Sequence, residues 1–150
     1  MAVTSELYSQ FPLNLGGGDS AGEGSMDLLS DTIKLTLHTS THTPSQTADA
    51  LFGDVDNEVT NGNGYTTGGM TLASKTYATS SLTTTFDAAD VTWTTLTKTH
   101  RYGILWDDTV TSPADPLIGL IDTGGDQTNN ATDLTYQWNA SGIFAFTVAT

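Results

Sequence analysis

The chain has no cysteine, only four prolines and only four basic residues, Lys34, Lys75, Lys98 and Arg101, against seventeen acidic ones. Each shortage closes off a class of protein. Without cysteine there is no disulfide framework and no thiol nucleophile, and the chain reads as one made in a reducing cytoplasm. Four scattered cations cannot neutralise a run of phosphates, so a net charge of −13 argues against nucleic acid as a partner. The same charge disfavours an anionic membrane surface, and no apolar run approaches the roughly 20 residues of a spanning helix. The opening Met1-Ala-Val-Thr-Ser-Glu6 has neither a basic start nor an apolar stretch, and does not read as a signal peptide. Charged residues make up 14% of the chain against roughly 25% in ordinary domains, so neutral groups carry most of its polarity.

Threonine, at 29 positions, and glycine, at 15, fill the gap. A β-branched side chain is stiff at χ1 and suits a pleated surface better than a helix interior, while glycine supplies turns between short strands. Ile33, Leu35 and Leu37 alternate with Lys34, Thr36 and His38, which predicts a half-buried strand. The pattern predicts further strands at 70–72, 76–86, 91–97, 134–138 and 144–148. Tyr102 to Trp106 is apolar on both faces and predicts a central strand, as does the run 117–121. Asn61-Gly-Asn-Gly64 predicts a tight turn. The single helical expectation is 44–52, with Thr47 as its N-cap, since Pro12 denies residues 1–15 a long helix. Seven or eight short strands, each amphipathic sheet needing a partner for one face, predict an all-β fold. The expected form is an antiparallel β-sandwich, jelly-roll or immunoglobulin-like, with one short helix.

Residues 1–30 read as an N-terminal arm and Gly-rich tether, and 31–150 as the sandwich domain. The arm carries Leu7, Tyr8, Phe11 and Leu13, and 16–24 is rich in Gly, Ser and acid. Two readings stand for it: a clamp that docks these four side chains on a neighbouring subunit or shell, or an edge strand folded onto its own domain.

Residues for chemistry are sparse. A Ser–His–acid triad has no Gly-x-Ser-x-Gly elbow to build on, and His38, His42 and His100 read as polar residues at strand ends. Asp54-Val-Asp-Asn-Glu58 resembles the opening of a calcium loop, but the twelfth-position Glu is missing. Asp107-Asp108 and the Asp122 to Asp126 turn read, like it, as solvated acidic loops. The chain has three Glu, a thin supply for paired catalytic carboxylates. Trp93, Trp106, Trp138 and five Tyr raise a lectin reading, although the alternation places Trp106 and Trp138 with core residues. The expectation is a protein that is not an enzyme, with no cofactor, no metal and no catalytic residues.

Several phrases occur together: Ser5-Glu-Leu-Tyr-Ser-Gln-Phe-Pro-Leu13, Asp31-Thr-Ile-Lys-Leu-Thr-Leu-His-Thr-Ser40, Asp54-Val-Asp-Asn-Glu-Val59 and Gly64-Tyr-Thr-Thr-Gly-Gly69. Phe86-Asp-Ala-Ala-Asp-Val-Thr-Trp93, Arg101-Tyr-Gly-Ile-Leu-Trp-Asp-Asp-Thr109, Pro116-Leu-Ile-Gly119 and Trp138-Asn-Ala-Ser-Gly-Ile143 complete the set. In these the chain resembles a family of small acidic virion structural proteins of tailed bacteriophages, over nearly its whole length. Only the Gly-rich segment 16–25 departs from the pattern. The resemblance implies a virion component made in the host cytoplasm, a capsid decoration or cement subunit bound to the major capsid protein. In that role Leu7, Tyr8, Phe11 and Leu13 would be shell or subunit contacts. A homotrimer is the expected assembly, since closed rings at shell symmetry axes are the usual solution for such subunits. The alternative is a head-fibre, collar or tail subunit that binds a host-surface glycan or receptor.

Overall fold

A computed structural model describes residues 4–18 and 25–149. Its frame is a five-stranded antiparallel sheet. The contributing strands are β1 (Thr4–Leu7), β2 (Ile33–His38), β3 (Met70–Thr71), β7 (Thr99–Asp107) and β8 (Leu117–Thr128), in the order β1-β8-β7-β2-β3. A second layer is made of two smaller sheets. One is β10-β5-β4, from β4 (Thr76–Ser80), β5 (Thr83–Asp87) and β10 (Phe144–Thr147). The other is a two-stranded ribbon of β6 (Val91–Leu96) and β9 (Thr132–Tyr136). The all-β, antiparallel, sandwich-like expectation is met.

Period-two alternation explains which side chains go where. Ile33, Leu35 and Leu37 of β2, with Leu105, Ile118 and Ile121, face the second layer and meet Phe86, Val91, Trp93 and Leu96. The opposite face of the same strands carries Tyr102, Ile104, Trp106, Leu117 and Leu120, which pack with Tyr8, Phe52 and Val55. The main sheet is therefore buried on both sides, by a second sheet layer on one and by the 39–59 connection on the other. This is why the Tyr102–Trp106 segment is apolar at every position. Phe52 stacks on Trp106 at 4.1 Å, and the Phe52 N–H donates to the Asp115 carbonyl at 2.8 Å, which fixes that cover in place. The threonines occupy the remaining surface as cross-strand hydroxyl pairs, Thr79–Thr84, Thr83–Thr147, Thr92–Thr135 and Thr99–Thr128, each 2.8–2.9 Å apart.

Three expectations need correcting. The run 76–86 is not one strand but the hairpin β4–β5, turned at Ser81, whose φ is +55°. The helix expected at 44–52 is absent. Side-chain oxygens of Ser45, Asp49 and Asp54 accept the N–H groups of Ala48, Ser45, Ala50 and Leu51, and these local bonds hold the backbone in turns. A 3-10 turn at Phe52–Asp54 follows instead. Among the described residues the α-helix is α1 (Phe11–Leu15), a short one in keeping with the reading of Pro12, which lies in its first turn where the missing N–H has no cost.

The third correction concerns the arm. β1 pairs with β8 in antiparallel register from Thr4↔Asp122 to Leu7↔Gly119, so the segment is an edge strand of the main sheet. Of the four expected contact residues, Tyr8 and Phe11 are fully buried, 1% and 0% exposed. Phe11 meets Phe144 at 5.1 Å and Phe146 at 6.3 Å between ring centroids. Leu7 is half-buried, and Leu13 alone is exposed, at 40%. The physical reason is that β8 has an N–H and C=O edge that β1 satisfies, and the core has room for the two aromatic rings. In the expected tether, Gly17 (φ +101°) and Gly18 close α1, with N–H groups donating to Asn14 and Leu13 carbonyls at 3.2 and 2.9 Å. Residues 19–24, the rest of the tether, lie outside the described residues.

Candidate functional site

The second layer is narrower than the main sheet. Beyond β9 and the 138–144 connection, the β8 and β1 end of the sheet is left partly uncovered, and an open cavity of about 790 Å³ lies there. Its size falls within the roughly 300–1,000 Å³ usual for ligand sites.

A register slip between β7 and β8 shapes it. His100 pairs with Gln127 and Tyr102 with Asp122, so Arg101 stands opposite four residues, Thr123 to Asp126. Gly124 (φ +78°) supports this bulge, and the Thr123 hydroxyl lies 2.7 Å from the Arg101 carbonyl. Arg101 closes the slip with a two-pronged contact to Asp122, 3.0 Å at each prong. Bulges bend a strand and re-aim side chains. Here Tyr102 packs on the Phe52 side of the sheet, while His100 turns to the cavity and to Tyr136, 6.3 Å between centroids. Gly103 makes room for Tyr136, because a Cβ there would come within 3.1 Å of its ring.

His100 is fully buried, and neither ring nitrogen has a hydrogen-bond partner among the described residues. The buried Tyr136 hydroxyl likewise has none. Each such group costs roughly 1–3 kcal/mol unless something satisfies it. Burial, opposed by the Asp126 charge, pushes the His100 imidazolium down to about 4, so the ring is neutral near pH 7 and offers one donor and one acceptor. Burial raises the Tyr136 phenol above its ordinary range. Around these two lie Thr123, Gln127, Asn129, Glu6 and the ring of Trp138. Trp138 is held by its Nε1–H, which donates to the Ala89 carbonyl at 3.0 Å.

The other polar clusters are held by internal hydrogen bonds, although His42 Nε2 and Asp107 Oδ2 have no hydrogen-bond partner among the described residues. His38 shares a 3.0 Å hydrogen bond with Thr36 and contacts the Asp56 carbonyl at 2.8 Å, and His42 pairs with Asp56 at 2.7 Å. In the calcium-like segment, Asp54 receives the Ala50 and Leu51 N–H groups, and Glu58 receives the Tyr65 hydroxyl and Gly68 N–H at 2.6 and 2.7 Å. Among the described residues no three His, Cys, Asp or Glu side chains are arranged to hold a metal ion. Asp107 is fully buried beside Asp31, accepts from Thr109 and Val110, and titrates near 6, raised by burial and by the neighbouring carboxyl.

Trp93 and Trp106 are core residues, 2% and 4% exposed, whereas Trp138 is half-buried at the cavity. Sequence reasoning placed His100 at a strand end but missed its burial, and missed Gln127 and Tyr136 as its neighbours. The only local signal is Asp122-Thr-Gly-Gly-Asp126, whose glycines mark the bulge. No family model, curated protein or solved structure matches the chain.

Proposed function

We propose that the protein is a structural subunit of a tailed-bacteriophage virion, a decoration or cement protein that binds the major capsid shell and stabilises the head. The observation that carries this reading is where the family-like phrases fall in the fold. Ser5–Leu13 supplies β1 and the start of α1, Asp31–Ser40 spans β2, and Arg101–Thr109 spans most of central β7. Pro116–Gly119 opens β8, and the other four phrases lie in connections and the second layer, so the resemblance runs through the whole fold. A surface of paired threonine hydroxyls and a net charge of −13 suit a subunit held at high local density, where like charge opposes non-specific association.

The clamp is not part of this reading, since Tyr8 and Phe11 are committed to the core. Contact with the shell falls instead on exposed apolar side chains. Leu13 is one, and Leu82 and Val148 are neighbours, joined by a 2.8 Å backbone hydrogen bond. A homotrimer at a shell symmetry axis is the assembly this role calls for. The test is addition of the purified chain to heads assembled without it. Saturable co-sedimentation and a higher temperature of head disruption are expected; failure to co-sediment overturns the reading.

One observation favours a second reading, a head-fibre, collar or tail subunit that binds the host surface. It is the open cavity with its unsatisfied polar groups, which a purely structural cement would not need.

A further inference from the structure

We propose that the cavity beside β8 and β9 is a binding site for a neutral carbohydrate, with His100 and Tyr136 as its polar anchors. The inference rests on the second reading above, whose ligand class it names.

The lining decides the class by its chemistry. It contains no Lys or Arg, so it has nothing to neutralise a phosphate, sulfate or carboxylate, and the charge of the whole chain repels one. Glu6 is its one carboxylate, too few for a divalent cation, which takes several oxygen ligands. A purely apolar ligand would leave the His100 nitrogens and the Tyr136 hydroxyl unsatisfied. A neutral imidazole presents one donor and one acceptor, and a hydroxyl group answers either. Gln127, Asn129 and Thr123 add amide and hydroxyl partners of the same neutral kind. Tyr136 and Trp138 supply aromatic surface of the sort on which the C–H face of a pyranose packs. A ligand with many neutral hydroxyls and an apolar face fits all of these at once. The Arg101–Asp122 contact closes the bulge beside His100 without entering the site, and the bulge lends it Thr123.

The experiment is a titration of the ¹⁵N-labelled full chain with neutral trisaccharides of glucose, galactose or N-acetylglucosamine, and with a sialylated trisaccharide as the anionic control. At least one neutral trisaccharide is expected to shift the His100, Gln127 and Tyr136 signals saturably, and the anionic one is not. Tyr136→Phe removes only the hydroxyl, and Gln127→Ala changes a half-exposed side chain. Each is expected to weaken binding about tenfold while the rest of the spectrum keeps its native dispersion. The proposal is overturned if no neutral trisaccharide gives saturable shifts at millimolar concentration, if the shifts lie elsewhere, or if neither variant changes the affinity. Because the assay uses the isolated chain, its failure leaves the place of the protein in a virion to the head-binding test.

Discussion

Two buried ionisable side chains at the ends of β7 respond to pH in opposite senses. His100 titrates near 4 in the fold against an ordinary 6.5, because burial penalises the imidazolium. Its folded pKa is lowered, so on unfolding it takes up a proton, and the stability it contributes is lost as pH falls from 6.5 toward 4. Asp107 is raised from 3.8 to about 6, so its contribution is full below the lower value and is lost as pH rises through the upper one. His38, lowered by burial, acts with His100, and Asp115, raised by burial, acts with Asp107. The wild-type profile over this range is therefore flattened by cancellation. Thermal unfolding of single variants against pH separates the two. Relative to wild type, His100→Gln should gain stability as pH falls through its window. Asp107→Asn, whose Oδ1 still accepts from Thr109 and Val110, should gain as pH rises through its own. Each change should be about 3 kcal/mol across its window. Parallel profiles would contradict both assignments.

Among the elements, β1 and α1 depart furthest from the expectation of a free arm, and they are the easiest to test. Phe11→Ala should cost about 3–5 kcal/mol, because it empties the contact with Phe144 and Phe146, whereas Leu13→Ala should stay within about 0.5 kcal/mol. Chemical denaturation of the two variants reads this directly, and equal effects would return the segment to the arm reading. The strands of the main sheet were legible in sequence because their partners are regular: β2 alternates cleanly, and β7 is apolar throughout because it is covered on both faces. The hairpin at Ser81 was not, since Ser81-Leu82 lacks the Asn-Gly or Gly that signals such turns. Nor was the full length of β8, read only to Ile121, because Gly124-Gly125 looks like a break and is a bulge within the strand. Pro12 was read as denying residues 1–15 a long helix, and α1, with Pro12 in its first turn, spans only five residues.

At the scale of the whole molecule, the cavity arises from a mismatch between layers: five strands on one side, and sheets of three and two on the other. Its lining joins the consecutive strands β7, β8 and β9 to the distant β1, and no local pattern announces that meeting. Composition nevertheless anticipated the rest. Eight of the 29 threonines pair as cross-strand hydroxyls on exposed faces, and the four cations are too few to pair more than a fraction of the seventeen acids. Lys34–Asp108 and Arg101–Asp122 are the pairs formed by Lys or Arg among the described residues. The virion role proposed above is tested most directly in an assembled particle. The measurement for that proposal is the copy number of this chain, relative to the major capsid protein, by quantitative mass spectrometry of purified phage particles. The account predicts copies on the order of hundreds, in a fixed ratio to the shell subunits, as decoration of symmetry-related sites requires. A handful of copies, or none, would contradict it.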